Sequence, residues 1–331
     1  MRLFRILVVV LAVASGLVPG AAASADTLTW SVRPTPATGK PDRPNFVYDL
    51  KPGQTISDSI RVRNYGDKPL SLSVYASDAL TTSSGALDLL PAGTKPTDVG
   101  KWVVLKQQKI EVPAQKFVDV PFTMTVPDKA ESGDHTGGLV TSYVSLDNHD
   151  RAVTVDRRLG TRMYVRVSGP LMPQLDVSAP KLSYAGNLNP FGPGKLHVTY
   201  TVTNTGNVRM GAEQVVATSF PGGETSLPPM PELLPGDKLT FSADVDGVWP
   251  TFRTKAEVRL KMVPTRQGDV FDVPVVAVDA SAWTLPFPQL AVVLIGVLTL
   301  VFVLWRRRSR RSSVDRQIEE AVRAALLEKT S

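Results

Sequence analysis

Apolar and polar residues alternate with a period of two through most of the chain. Ile60 and Val62 alternate with Arg61 and Arg63, and Leu70, Leu72 and Val74 with Ser71 and Ser73. Val118, Val120, Phe122, Met124 and Val126 form a third series, and Leu196, Val198, Tyr200 and Val202 a fourth. Leu239, Phe241, Ala243 and Val245 continue the pattern, followed by Val258, Leu260 and Met262. A two-residue period places one set of side chains on one face of a strand. With Pro and Gly between the runs, it predicts half-buried strands packed as antiparallel sandwiches.

Two stretches depart from this period. Arg2 and Arg5 precede a short apolar run from Ile6 to Val13, and the small residues Ala23-Ser24-Ala25 follow. That order predicts a secretory signal over 1–25, cleaved before Asp26. The second stretch, 285–305, is apolar over roughly 20 residues, the length needed to cross a hydrocarbon core. Trp283 and Trp305 bracket it, and Arg306, Arg307, Arg308, Arg310 and Arg311 follow. Basic residues collect on the cytoplasmic side. The expectation is a single-pass cell-membrane protein with its N-terminus outside and its C-terminus cytoplasmic. Residues 306–331 would form a basic tail, with Val314, Ile318, Val322 and Ala325 on one face of a short helix capped by Ser312 or Ser313.

Between these ends the sequence repeats itself. IRVRNYGD (60–67) and YTVTNTGN (200–207) share V-x-N-x-G-[DN], with the asparagines 140 positions apart. An Asn side chain bonds the backbone two residues on, and Gly provides a positive φ for a short hairpin. VPAQKFVDVPFTM (112–124) similarly resembles LPGDKLTFSADV (234–245), 122 positions apart. The shorter spacing of this second pair leaves about 18 extra residues in the first unit, assigned to a long loop over 83–102. The expected fold is an all-β ectodomain of two antiparallel immunoglobulin-like β-sandwiches, 26–170 and 175–282, followed by one transmembrane α-helix. Prolines in the join, 168–180, make it short and stiff, so the two units should unfold independently.

Composition changes this picture in two respects. The net charge of +6 suggests an anionic partner, but the first 25 residues carry two of those charges and the tail from Arg306 a net four. Residues 26–305 are therefore neutral overall, which removes the argument for nucleic acid. The absence of cysteine excludes disulfides, a thiol nucleophile and a lipidated cysteine.

Candidate chemistry is sparse. His197 lies on the polar face of a strand, His149 in the turn Asp147-Asn148-His149-Asp150, and His135 in the glycine-rich run 132–138. None has metal-ligand spacing, and no nucleophile or metalloprotease motif is present. No cofactor or metal is expected. Gly133–Gly138 reads either as a loop entering the strand Leu139–Leu146 or as a place where a ligand meets bare backbone. Trp30, Tyr48, Tyr75 and Trp102 read as core residues or as platforms for sugar rings. His135, Gly137, Gly138 and Trp102 are the candidate ligand-binding residues.

FVYDLKPGQTISDSIRVRNYGDKPLSLSVYASDA (46–79), GKWVVL (100–105) and VPAQKFVDVPFTMTVPDKAESGDHTGGLV (112–140) occur in that order. Together they resemble the WxL-interacting proteins of Gram-positive cell envelopes. The resemblance implies a peptidoglycan-binding first domain, a second β-sandwich, one membrane helix and a basic tail. Peptidoglycan is then the expected partner, with a surface protein as a further one. The second domain looks more like a generic adhesion-type sandwich. Trp283-Thr284-Leu285 fits W-x-L, although its place beside the membrane makes it an interfacial anchor. The expected function is non-enzymatic: binding of peptidoglycan or of a surface partner by a membrane-anchored ectodomain. The rivals are an accessory subunit of a membrane complex and a cell-wall hydrolase.

Overall fold

The computed structural model describes residues 28–36, 42–146, 154–219 and 222–328. The expected signal peptide with its cleavage site and the His149 turn lie outside the described residues. The first unit contains β1 (Trp30–Pro34), β2 (Phe46–Leu50), β3 (Thr55–Asn64), β4 (Leu70–Thr81), β5 (Leu87–Leu89) and a single helical turn, α1 (Val99–Trp102). It continues with β6 (Val103–Leu105), β7 (Lys109–Val112), β8 (Phe117–Thr125), β9 (Gly133–Leu146) and β10 (Thr154–Val167). The second unit contains β11 (Leu175–Val177), β12 (Lys181–Ala185), β13 (Gly194–Asn204) and β14 (Met210–Thr218), then β15 (Gly223–Leu233), β16 (Lys238–Val248), β17 (Phe252–Pro264) and β18 (Val276–Thr284). A long helix, α2 (Phe287–Glu328), follows.

Each unit is a sandwich of two sheets. In the first, β1-β3-β8-β6 faces β2-β10-β9-β4-β5, with β7 also on β4. In the second, β11, β12 and β16 all pair with β13, and this sheet faces β15-β14-β17-β18. The pairings are antiparallel except for β2, which lies parallel to β10. The chain leaves β1 in one sheet and crosses to the other, so β2 arrives on the far edge pointing the same way as β10.

The alternating residues fill the two cores. Ile60, Val62, Leu72, Val120, Phe122 and Met124 are buried in the first, and Leu196, Val198, Tyr200, Val202, Val258 and Leu260 in the second. Phe46 packs edge-on against Phe122 at 5.3 Å between ring centres. Trp30 belongs to the core and donates its indole N–H to the Thr141 hydroxyl at 2.9 Å, linking the two sheets. Tyr48 is half-buried and donates to Asp58 at 2.7 Å. Neither aromatic is an open platform for a sugar.

The repeated asparagine is structural. Asn64 and Asn204 are both buried. Each accepts the N–H two residues on, at 2.8 Å from Gly66 and 3.1 Å from Gly206. Each amide also donates twice: Asn64 to the Lys68 and Val112 carbonyls, Asn204 to those of Val208 and Leu233. One side chain thus closes its own hairpin and ties it to a neighbouring turn. The role expected of glycine differs, since Gly206 does not adopt positive φ. A Cβ there would lie 2.2 Å from the Met172 carbonyl oxygen, so close approach requires the glycine.

The second repeat is shifted by one residue. Asn64 N–H donates to the Lys116 carbonyl and Asn204 N–H to that of Asp237. Positive φ falls at Gln115 and Gly236. The equivalent turns are therefore 121 positions apart, because structural pairing follows turn geometry and the sequence match followed the shared proline. Three further expectations are corrected. Residues 83–102 contain β5 and α1. Gly133–Gly138 opens strand β9. Helix α2 runs continuously past Ser312 and Ser313, with no separate cap.

Replacing Asn204 by Ala leaves two carbonyls and an N–H without their partner in a buried turn. We expect a loss of about 2 kcal/mol or more, read from denaturant unfolding of the detergent-solubilised chain. A loss within about 0.5 kcal/mol, the range of ordinary surface changes, would show that water replaces the amide.

Candidate functional site

Near the end of strand β4 lies Ser77-Asp78-Ala79, and Asp78 is buried. A buried carboxylate needs donors. Asp78 receives the N–H groups of Thr97 at 2.6 Å, Asp98 at 3.0 Å and Gly100 at 2.7 Å. The segment before α1 is thereby drawn down over β4. Gly100 lies so close that a Cβ would come within 2.7 Å of the Ser77 carbonyl carbon. The turn of α1 then places Trp102 against the core at 8% exposure.

The same cradle positions Asp98 for His135 on β9. His135 Nδ1 is 2.8 Å from Asp98 Oδ1 and 2.9 Å from Oδ2, and Nε2 is 2.9 Å from the Glu131 carbonyl. The Asp98 carboxylate and the Glu131 carbonyl both accept, so the arrangement favours a proton on each ring nitrogen. Burial opposes that charge, but the Asp98 carboxylate and the Glu131 carbonyl outweigh it and raise the His135 pKa above the ordinary value. The Trp102 ring centre lies 4.7 Å from that of His135, close enough for the indole to interact with the cation.

Gly137 and Gly138 do not line the groove beside this cluster. They lie inside the sheet, Gly137 between Asp78 and Met163 and Gly138 between Ser77 and Arg162. A Cβ on Gly137 would meet the Ser77 carbonyl at 2.6 Å and Val99 Cβ at 2.8 Å; one on Gly138 would meet the Thr161 carbonyl at 2.5 Å. They are glycines so that α1 and β5 can pack on β9, and both neighbouring strands flank their backbone. Of the four candidates, His135 and Trp102 come together at the groove, and the two glycines support them from behind.

The groove, of about 800 Å³, lies between the two sandwiches. Asp98, Trp102, Glu131 and His135 line one wall, and Thr205, Gly206, Asn207 and the Leu234–Asp237 turn line the other. Buried charge holds the walls together. Arg166 grips Asp134 with Nε at 2.6 Å and Nη2 at 2.8 Å, and its Nη1 reaches Asp269 at 2.8 Å. The Arg209 N–H donates to Asp134 at 3.0 Å, while its guanidinium pairs with Glu232 and covers the Tyr164 ring at 4.1 Å. A more exposed pair adds to this, Arg266 binding Asp49 at 2.6 and 2.7 Å. Burial works against the Asp134 charge, but Arg166 and Arg209 hold its pKa below the usual carboxylate range. Sequence reasoning missed Asp78, Asp98 and Asp134. The available signal for Asp78 was an acid within a run of apolar and small residues, V-Y-A-S-D-A, where internal partners make a charge tolerable.

The molecule is thus a pair of immunoglobulin-like sandwiches with a shared groove and one long helix that is apolar over Phe287–Arg308. Residues 34–142 match the family model described as WxL Interacting Protein, peptidoglycan binding domain. The stretches 46–79, 100–105 and 112–140, which carried the resemblance, meet around Asp78, Asp98, Trp102 and His135. No curated protein matches the chain. Among solved structures, the class 5 fimbriae chaperone CfaA is 13% identical with a TM-score of 0.36, covering 77% of this chain and 100% of its own. The CupB2 chaperone of Pseudomonas aeruginosa is 10% identical with a TM-score of 0.31, covering 73% and 98%. Identities this low say nothing of function.

Two outcomes follow from the charges. A raised His135 pKa stabilises the fold below about pH 6.5, the ordinary histidine value, and the contribution is lost as pH rises through the folded value. In His135→Gln, the stability difference between pH 5.5 and pH 8.5 should shrink in calorimetry; an unchanged difference would remove His135 as its source. A lowered Asp134 pKa stabilises above about pH 4, and this contribution is lost as pH falls through the folded value. Contrary to independent unfolding, we expect the two sandwiches to melt together at neutral pH and Asp134→Asn to split the transition. Two transitions already present in the wild type would refute the coupling.

Proposed function

We propose that this chain is a non-catalytic, membrane-anchored protein of the cell envelope whose first sandwich binds peptidoglycan. One observation carries the reading: the match over 34–142 to a peptidoglycan-binding domain, whose resemblance-bearing stretches converge on the Asp98–His135–Trp102 wall of the groove. The groove offers an imidazole paired with a carboxylate, further carboxylates and hydroxyls, with an indole edge behind them. These suit a polymer of hydroxyls, amides and short peptides that carry carboxylates. Three of its carboxylates are already engaged within the fold, which supports binding over catalysis. Asp98 is committed to His135, Asp134 to two arginines, and Asp237 to the Thr81 N–H at 2.6 Å.

Anchoring is supported by Phe287–Arg308, which are apolar enough to cross a bilayer and whose apolar window holds no buried residue. The arginines after Trp305 favour a cytoplasmic C-terminus. Protease added to wall-stripped cells should remove the sandwiches and spare an epitope placed after Ser331. Loss of that epitope would reverse the orientation.

The binding test is sedimentation of the detergent-solubilised chain with insoluble peptidoglycan. The wild type should pellet, with only weak dependence on salt, since residues 26–305 have no net charge. His135→Gln and Asp98→Asn should each weaken binding by about tenfold, roughly the loss of one charge-assisted contact. Equal pelleting of wild type and both variants would place the polymer elsewhere.

A further inference from the structure

The second sandwich has two unlike ends. At the groove end, its turns carry Arg209, Asp237, Arg266 and Asp269, the charges that meet the first sandwich. At the other end lie the β12–β13 turn, the β16–β17 turn and the β18–α2 join. Register places them together, with Gly194 opposite Val248 and Phe252 opposite Thr284. Residues 186–193, 248–252 and 281–288 contain no charged side chain.

Large apolar groups project from each of these connections. Leu188 is 93% exposed and Phe191 79%, and Phe252, Trp283 and Phe287 are each more than half exposed. The exposure is built in. Asn187 and Asn189 fix the β12–β13 turn by accepting the N–H groups of Asn189 and Phe191, each at 3.0 Å. Phe252 adopts a φ of 68°, a left-handed conformation that bulky side chains rarely take. An isolated exposed apolar residue is ordinary, but a cluster at one end, flanked by the exposed Lys195–Asp246 pair and Arg253, marks an interaction surface.

The position of α2 selects the partner. Leu188, Trp283, Leu285 and Phe287 line one shallow hollow at the first turn of the helix. Thr284 is fully buried and accepts the Thr251 N–H at 3.1 Å, so only Leu285 and Pro286 separate a pinned strand from the helix. A span starting at Phe287 brings this end of the sandwich to the headgroup layer, where aromatic and apolar groups gain by insertion and flanking Lys195 and Arg253 suit the headgroups. We infer that Leu188, Phe191, Phe252 and Trp283 form a lipid-docking surface that seats the second sandwich on the outer face of the bilayer. The inference rests on the reading of α2 as a membrane span.

The chain has no cysteine, so single labelling sites are available. Leu188→Cys, Phe191→Cys, Phe252→Cys, Lys238→Cys and Leu298→Cys would each carry a bimane label in the full chain. The variants are reconstituted into phosphatidylcholine–phosphatidylglycerol nanodiscs with brominated acyl chains. Lys238 lies at the opposite end of β16, roughly 30 Å away. The expected result is about twofold quenching or more at 188, 191, 252 and 298, as for groups at or below the headgroups, and none at 238. Quenching at 298 alone overturns the docking surface and leaves the anchor intact. No quenching at 298 overturns both. Cross-linking through position 191 without lipid quenching would assign the patch to a second copy of the chain and also overturn the inference.

Discussion

Asp134 is a carboxylate at 6% exposure, and a charge that deep persists only if the chain supplies opposing donors. Arg166 of its own sandwich and Arg209 of the other both do so. Neither sandwich alone satisfies the cluster, so the relative position of the two is tied to the solvation of one group. Buried ion pairs add little to net stability, because desolvation offsets attraction, but a broken one is costly. The cluster therefore fixes geometry more than it adds strength. His135 is the next residue on β9, and the groove wall inherits that geometry.

The second sandwich repeats the plan of the first, down to the buried asparagine that closes β3–β4 in one and β13–β14 in the other. Divergence is confined to what sits on that plan. The first adds β5 and α1, drawn onto β9 by the Asp78 cradle, and glycines at 100, 137 and 138 make the necessary room. The second instead gathers its inter-sandwich ions at one end and its exposed large apolar groups at the end beside α2. Its longest strand, β17, has 13 residues and spans roughly 40 Å, so the length of the sandwich sets how far the groove stands from the first turn of α2.

Much of this was legible in the chain. The two-residue period identified the buried faces, because a pleated strand leaves no other assignment for alternating residues. The repeated V-x-N-x-G identified the hairpins, because a local Asn–backbone bond needs no distant partner. The apolar run before the arginines identified the helix.

The site was less legible, for a physical reason. Whether a glycine offers its backbone to a ligand or makes room for packing depends on what lies across the sheet, and Val99 and Thr161 are distant in sequence from Gly137 and Gly138. Trp102 looked like a platform and is mostly covered, because Asp78 pulls its loop inward. The role of His135 depends on Asp98, 37 residues earlier, and that of Asp134 on Arg209, 75 residues later. Sequence by itself determined the strands, the hairpins and the apolar helix, all set by short-range periodicity and local bonding. Tertiary structure alone decided which charges meet, because burial makes a charge depend on partners that only folding brings within reach.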